Sequence, residues 1–315
     1  MPISLLTGVG SGLASALLFY SATRGSPLLS SVLLLLTPLP SLIASLGWGW
    51  LPALLGGVAG AAVMIGIASV PFAVGYFLAL GAPSALAGYL AYLSRRQPAQ
   101  PETLEWYPPG RLITALALYG GTLPVLAVPL SGGYDQLHEP MHAYFRRFSA
   151  RTASELNVPA LTDAQLDALT EFLLGVLPAA LSAYWLMIFS LNLYLAGRIA
   201  RASGRLGRDW PDLAALTYPP ALPIVAVCAF AAAFASGWLG LIGTSFSGAL
   251  LVAYLLAGLA LMHFLARGRQ PWVLWLVYAG LFLLGPYAAL ALIIAGLIEP
   301  VVNLKRRLGA PPPST

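Results

Sequence analysis

Apolar residues run along this chain in blocks of about twenty, with the polar ones gathered between them. The blocks cover 3–22, 28–46, 51–69, 71–93, 112–130, 172–196, 219–235 and 247–266, and a further apolar stretch over 271–304 is too long for one helix. A helix needs about 20 such residues to cross the roughly 30 Å of a bilayer core, so the first eight blocks each predict one span. Backbone amides find no water in hydrocarbon, so only helices or a closed barrel can cross, and these continuous Leu/Ala/Gly runs lack a barrel's alternation. The pattern predicts an all-α polytopic bundle of about 8 to 10 transmembrane helices. The first block has no basic residue before it and leads into further spans, so it reads as a retained helix, not a cleaved leader.

Composition strengthens this reading. Of 315 residues, 59% are hydrophobic and 9% charged, against roughly 45–50% and 25% in soluble domains. The net charge of +5 does not point to nucleic acid, because the basic residues sit at span ends. Arg95, Arg96 and Arg111 form one group, Arg198, Arg201, Arg205 and Arg208 a second, Arg267 and Arg269 a third, and Lys305, Arg306 and Arg307 a fourth. Basic residues near span ends stay cytoplasmic, and a cytoplasmic N-terminus places the first three groups inside. Splitting 271–304 at Gly285-Pro286 into a hairpin of 271–284 and 286–304 returns the fourth group to the same side. Ten crossings result, or eight with a re-entrant pair, in a bacterial inner membrane with both termini cytoplasmic. Residues 1–308 read as one transmembrane domain and 309–315, rich in proline, as a disordered tail.

The insert 131–171 is the one sizeable polar segment and is expected to face the periplasm. Leu137, Met141, Tyr144, Phe145 and Phe148 share a helical face, predicting an amphipathic helix over 135–152 that lies at the interface or on the bundle. Thr162 with Gln165 forms a capping box that starts a helix running into the sixth span, and Pro178 is set to kink it. His138-Glu139-Pro140-Met141-His142 spells the His-Glu-x-x-His pattern of zinc proteases. Pro140 lacks an amide proton and disfavours helix at Glu139, so the two histidines are expected to miss the one-turn register that zinc requires, with the helix starting at Glu139-Pro140 instead.

Polar residues near membrane depth are functional candidates: Asn192, Arg198, His263 and Glu299. Arg198, His263 and Glu299 lie near span ends and are expected to snorkel, whereas deeper Asn192 bonds across helices. Gly8 with Gly12, and Gly56 with Gly60, carry the spacing that lets helices approach closely, and Pro38 with Pro40 breaks the second span. The single cysteine, Cys228, excludes an intramolecular disulfide and reads as a small buried hydrophobe. The stretches Glu105-Trp106-Tyr107-Pro108-Pro109-Gly110-Arg111 and Arg208-Asp209-Trp210-Pro211 read as interfacial anchors, or as a docking patch for a partner or anionic lipid. No Walker loop, dinucleotide fingerprint or nucleophile elbow occurs, so no catalytic, cofactor or metal residue is assigned and a non-enzymatic protein is expected.

Several blocks in order resemble the YybS-like family of bacterial multi-pass membrane proteins of unknown function. They are Ser15-Ala16-Leu17-Leu18, Gly25-Ser26-Pro27, Pro38-Leu39-Pro40 and Gly47-Trp48-Gly49, then Trp106-Tyr107-Pro108 with Gly110-Arg111. Asn192 with Leu195-Ala196-Gly197-Arg198, Trp210-Pro211-Asp212-Leu213, Gly258-Leu259-Ala260 with His263, and Gly296-Leu297 ahead of Lys305 complete the set. Where the family pattern has an Asp in the last Gly-Leu block, this chain has Glu299 one residue further on. The family is in turn remotely similar to the substrate-binding components of energy-coupling-factor transporters. That resemblance implies a transport-type bundle that binds a small molecule or lipid and depends on a membrane or cytoplasmic protein partner. A scaffold of envelope assembly is the second expectation, and a metalloenzyme using His138, Glu139 and His142 the third.

Overall fold

The computed structural model describes residues 3–97, 100–130, 132–267, 272–302 and 305. The expected disordered tail 309–315 lies outside them, as do Arg269, Arg306 and Arg307.

Seven helical segments are long and apolar enough to cross a membrane: Ile3–Ala22, Pro27–Trp48, Trp50–Ile67, Val70–Ala91, Pro109–Leu130, Asp163–Ala202 and Gly237–Leu265. They match the first six blocks and the eighth. Large apolar side chains cover their outer faces, Ile3, Leu28, Val58, Leu130 and Leu239 being more than half exposed. Such a surface needs lipid as its solvent.

In chain order, α1 is Ile3–Ala22. The second span divides into α2, Pro27–Leu36, and α3, Leu39–Trp48. Pro38 and Pro40 cause the division, because neither can donate a hydrogen bond to the turn before it. Next come α4, Trp50–Ile67, and a fourth span built from α5, Val70–Tyr76, a π-helical turn, Phe77–Gly81, and α6, Ala82–Ala91. An antiparallel hairpin, β1 (Ser94–Gln97) with β2 (Gln100–Trp106), follows, pairing Arg95 with Glu105 and Arg96 with Leu104. It was not anticipated from the sequence. Pro109–Leu130 forms α7.

The insert forms α8, Tyr134–Leu156. It turns back on α9, Asp163–Ala202, as the first arm of a helical hairpin. The Leu161 amide donates to Ser149 Oγ at 2.8 Å. Thr162 and Gln165 form the full capping box, and α9 continues from it into the sixth span without a break. Met141 and Phe145 are half-buried, while Tyr144 and Phe148 stay exposed and stack at 6.5 Å.

The seventh block departs most from expectation. Only Leu222–Ala232 is helical there, as α10, 11 residues or about 16 Å long, too short to cross a bilayer by itself, so the non-helical residues before it share the crossing. Pro219 and Pro220 explain this: the pair removes two donors and holds Tyr218 and Pro219 extended, so a helix starts only after them. Cys228 lies exposed on α10 and is not the buried hydrophobe that was expected. Because α10 packs on one partner, α11 (Gly237–Leu265), most of its surface faces outward. Finally α12, Trp272–Leu284, and α13, Pro286–Val302, form the short hairpin, turning at Gly285 with φ +48°.

The most buried span is α11, which packs against α7, α9, α10 and α13. A second, smaller core of Ala16, Met64, Ala73, Tyr76 and Leu80 lies between α1, α4 and α5.

Candidate functional site

Between the end of α9 and the start of α10 the chain runs without α-helix from Ser203 to Ala221, apart from a 3-10 turn at Leu213–Ala215. Gly204, at φ +64°, ends α9 in the left-handed conformation, and the Arg205 amide turns back to Ala200 O at 2.8 Å. The segment then enters the bundle. Leu216, Tyr218 and Leu222 are all more than nine-tenths buried, and Tyr218 donates to Ala253 O at 2.6 Å. Ala253 lies twelve residues before the end of α11, about 18 Å along its axis. Irregular backbone at that depth is tolerated only inside protein or a cavity, with its polar groups paired.

Cationic side chains tie the segment to its neighbours. Arg208 donates through Nη1 to Ala91 O at 2.8 Å and Tyr107 O at 3.4 Å, and its guanidinium lies 5.7 Å from the Trp106 ring. Burial pushes this guanidinium down from its ordinary value. The Lys305 ammonium donates to Leu216 O at 2.7 Å. Burial lowers its pKa, and the Glu299 and Asp212 carboxylates pull back against that shift. Asp212 caps the 3-10 turn through the Ala214 amide at 3.2 Å and pairs with Arg267. Burial would raise its carboxyl, but the Arg267 bond and charge outweigh burial and hold it below the usual range. Close packing completes the seat: a Cβ on Gly110 would lie 1.8 Å from Thr217 O, so only glycine lets α7 accept the segment.

A row of cations without counter-charges flanks the segment. Arg201 stands over Trp210 at 5.8 Å, Arg205 over Trp48 at 5.2 Å, and Arg198 over Tyr194 at 6.0 Å. All three are exposed, and among the described residues none has a carboxylate within ion-pair distance. Beside them, a cleft of about 190 Å³ opens between Leu93, Arg95, Glu105, Trp106 and Arg111. There the Arg95 bond, at 2.7 Å, holds the Glu105 carboxyl below its ordinary value. Exposed guanidinium groups braced on aromatic rings suit a phosphate or carboxylate.

The family described as "Predicted membrane protein (DUF2232)" matches residues 13–299. The chain belongs to this family. No curated protein and no solved structure matches it. The DUF2232 match takes in the 203–221 segment and all four polar candidates, and leaves Gly8 and Lys305 outside.

In this DUF2232 protein three of the four polar candidates gather at the arginine-rich end. His263 is half-buried and shares hydrogen bonds with Leu259 O at 2.8 Å and with the Tyr278 hydroxyl at 3.2 Å, which tie its ring to α11 and α12. Glu299 is 7% exposed and faces the Lys305 charge, again turned inward. Arg198 is exposed and donates to the Tyr194 hydroxyl at 3.2 Å. Asn192 is fully buried and sits apart, bonding across helices to Leu35 O at 2.7 Å.

Gly8, Gly12, Gly56 and Gly60 lie at the α1–α4 contact, where a Cβ on Gly12 would meet Gly56 O at 1.8 Å and one on Gly8 would meet Pro52 O at 2.2 Å. The His-Glu-x-x-His stretch is helical after all. Pro140 is the seventh residue of α8, and the carbonyl its missing donor frees belongs to Gln136, on an exposed turn open to water. His138 and His142 therefore stand one turn apart, their rings 6.1 Å apart and parallel within 9°. His142 Nε2 lies 3.2 Å from Asp167 Oδ1 across the α8–α9 contact. No group of three metal-ligand side chains forms among the described residues.

Sequence reasoning missed Arg208, Asp212, Tyr218 and Lys305 as a set. Arg208 was visible as an anchor, Lys305 as a topology marker and Asp212 within a family block, Tyr218 had no signal of its own, and Pro219-Pro220 was the available sign that the helix must begin late.

Proposed function

We propose that the protein is a non-enzymatic, transport-type bundle that binds an anionic small molecule or lipid headgroup at its arginine-rich end and works with a protein partner. The observation that carries this is the non-helical segment 203–221, seated deep against α11 and flanked by Arg198, Arg201 and Arg205, which have no carboxylate within ion-pair distance among the described residues. Interrupted spans are where transporters place their ligands, and unpaired guanidinium groups beside them favour an anion. The positive-inside rule makes this the cytoplasmic end, in an inner membrane.

Native mass spectrometry of the protein gently extracted from its own membrane tests the reading. A recurrent anionic small molecule or lipid, lost on Arg201→Gln with Arg205→Gln, is the expected result. Retention of neutral species only would overturn it.

The second reading, a scaffold that recruits other envelope proteins, is supported by the amphipathic α8, whose Tyr144 and Phe148 rings stand exposed. Steady co-purification of another protein with no bound ligand would decide for it.

A further inference from the structure

The first half of the second span stands apart from the rest of the bundle. None of the ten residues of α2 is buried, and α2 packs chiefly on α1, whereas α3, beyond the proline break, packs on α1, α4, α6 and α9. Only at its C-terminal end is α2 tied to α9, where Asn192 Nδ2 donates to Leu35 O at 2.7 Å. Above that tie a cleft of about 220 Å³ opens between α1, α2 and α9. Ten helical residues rise about 15 Å, so the tie lies one leaflet deep in a bilayer core of roughly 30 Å.

The wall of the cleft changes character with depth. Thr23, Ser30 and Ser31 stand by the α1–α2 turn, Phe19 and Leu34 lie a helical turn further in, and Tyr184 closes the α9 side. Thr23 and Ser31 donate their hydroxyl protons to Tyr20 O at 2.7 Å and Pro27 O at 2.9 Å, which leaves the Ser30 hydroxyl to donate into the cleft. Arg24 follows Thr23 directly. It is exposed, its guanidinium lies 4.9 Å from the Tyr20 ring, and no carboxylate stands within ion-pair distance of it among the described residues. The other short turns at this end of the bundle, 68–69 and 233–236, hold no Lys or Arg. Basic residues are depleted on the face opposite the arginine-rich end, so Arg24 is set against the topology and calls for another reason.

We propose that the cleft holds one phospholipid of the leaflet opposite the arginine-rich end, its phosphate on Arg24 and Ser30 and one acyl chain laid along Phe19 and Leu34. A guanidinium braced on an aromatic ring suits a phosphate, and the apolar wall below it suits a chain that reaches the depth of one leaflet. A soluble anion would leave that wall uncovered, and an uncharged lipid would leave Arg24 without its partner. Recognition rests on phosphate and chain and not on net charge, so a zwitterionic lipid satisfies it. The site goes beyond the ligand proposed at the arginine-rich end, which lies across the bilayer and binds through other residues.

The test is native mass spectrometry of the full chain in detergent micelles, titrated with dioleoyl phosphatidylcholine or with dioleoylglycerol, which has the same chains and no phosphate. One phosphatidylcholine is expected to stay on each chain, bound about tenfold more tightly than the glyceride. Arg24→Gln should bring the two lipids level, and Ser31→Trp, which fills the mouth of the cleft from an exposed position, should remove both. Arg24→Gln also changes an exposed side chain and keeps the test open where Ser31→Trp fails to fold. Arg201→Gln with Arg205→Gln should leave this binding unchanged, and its loss there would overturn the proposal by moving the lipid to the other end. Equal binding of the two lipids by wild type overturns it, as does phosphatidylcholine binding that neither Arg24→Gln nor Ser31→Trp weakens, which is annular lipid only.

Discussion

The contact of α1 with α4 and the seat of 203–221 against α11 solve the same problem in opposite ways. In the first, backbone meets backbone: Gly8 and Gly12 face Pro52 and Gly56 with no room for a methyl group, and shape alone holds the helices. In the second, side chains tie an irregular segment to its surroundings: its own Arg208 and Tyr218 donate outward to Ala91 O and Ala253 O, and Lys305 donates inward to Leu216 O. Lipid gives helices no hydrophobic reason to associate, so close packing must do it. Polar backbone in lipid must find partners, so side chains must supply them. The glycine contact is therefore rigid by construction, whereas the segment is held by a few separable bonds, the kind of element that a ligand can move.

This contrast ranks the expected effects of substitution. Gly12→Leu should cost most, about 3 kcal/mol, because its Cβ alone would overlap Gly56 O; denaturant titration in mixed micelles measures the loss, and a fully stable variant would mean that α1 and α4 are not in backbone contact. Arg208→Met should cost about 2 kcal/mol, since it strands the Ala91 and Tyr107 carbonyls while leaving the α1–α4 contact untouched in disulfide trapping across that interface. Tyr218→Phe removes one hydrogen bond, to Ala253 O, and should cost about 1 kcal/mol in the same titration.

Lys305 gives a pH signature. Its folded pKa is lowered, first by burial and only partly restored by Glu299 and Asp212, so the folded state holds its proton less tightly than the unfolded state does. Stability then rises as pH climbs from that lowered value toward the unfolded value of about 10.4. Thermal unfolding at about pH 7.5 and 9.5 should show wild type gaining on Lys305→Met at the higher pH; a gain on going down would reverse the sign and contradict the buried position. The smallest effect belongs to neither region. Arg151→Ala breaks an exposed pair with Glu155 on α8 and should change stability by no more than about 0.5 kcal/mol.

Much of the fold was legible because a span is a local property: twenty apolar residues announce themselves, as do the Thr162–Gln165 cap and the Gly285-Pro286 turn. The seventh block misled because hydropathy counts Pro219 and Pro220 with their apolar neighbours, although their backbone forbids helix. Pro140 misled in the other direction, since an exposed carbonyl can give up its donor to water. The candidate site was legible only as residue types. That Arg208 turns inward to Ala91 and Tyr107 while Arg205 stays out, or that Lys305 meets Leu216, depends on contacts between distant elements, and no local pattern encodes them.

The most direct test of the account is the binding of anionic and zwitterionic phospholipid to the purified chain in nanodiscs of defined composition, for wild type and for Arg201→Gln with Arg205→Gln. The account predicts a preference for the anionic lipid that the double variant loses, while Arg146→Gln with Arg147→Gln on α8 leaves it intact. Equal uptake of both lipids by wild type, or a preference that survives loss of Arg201 and Arg205, would contradict it.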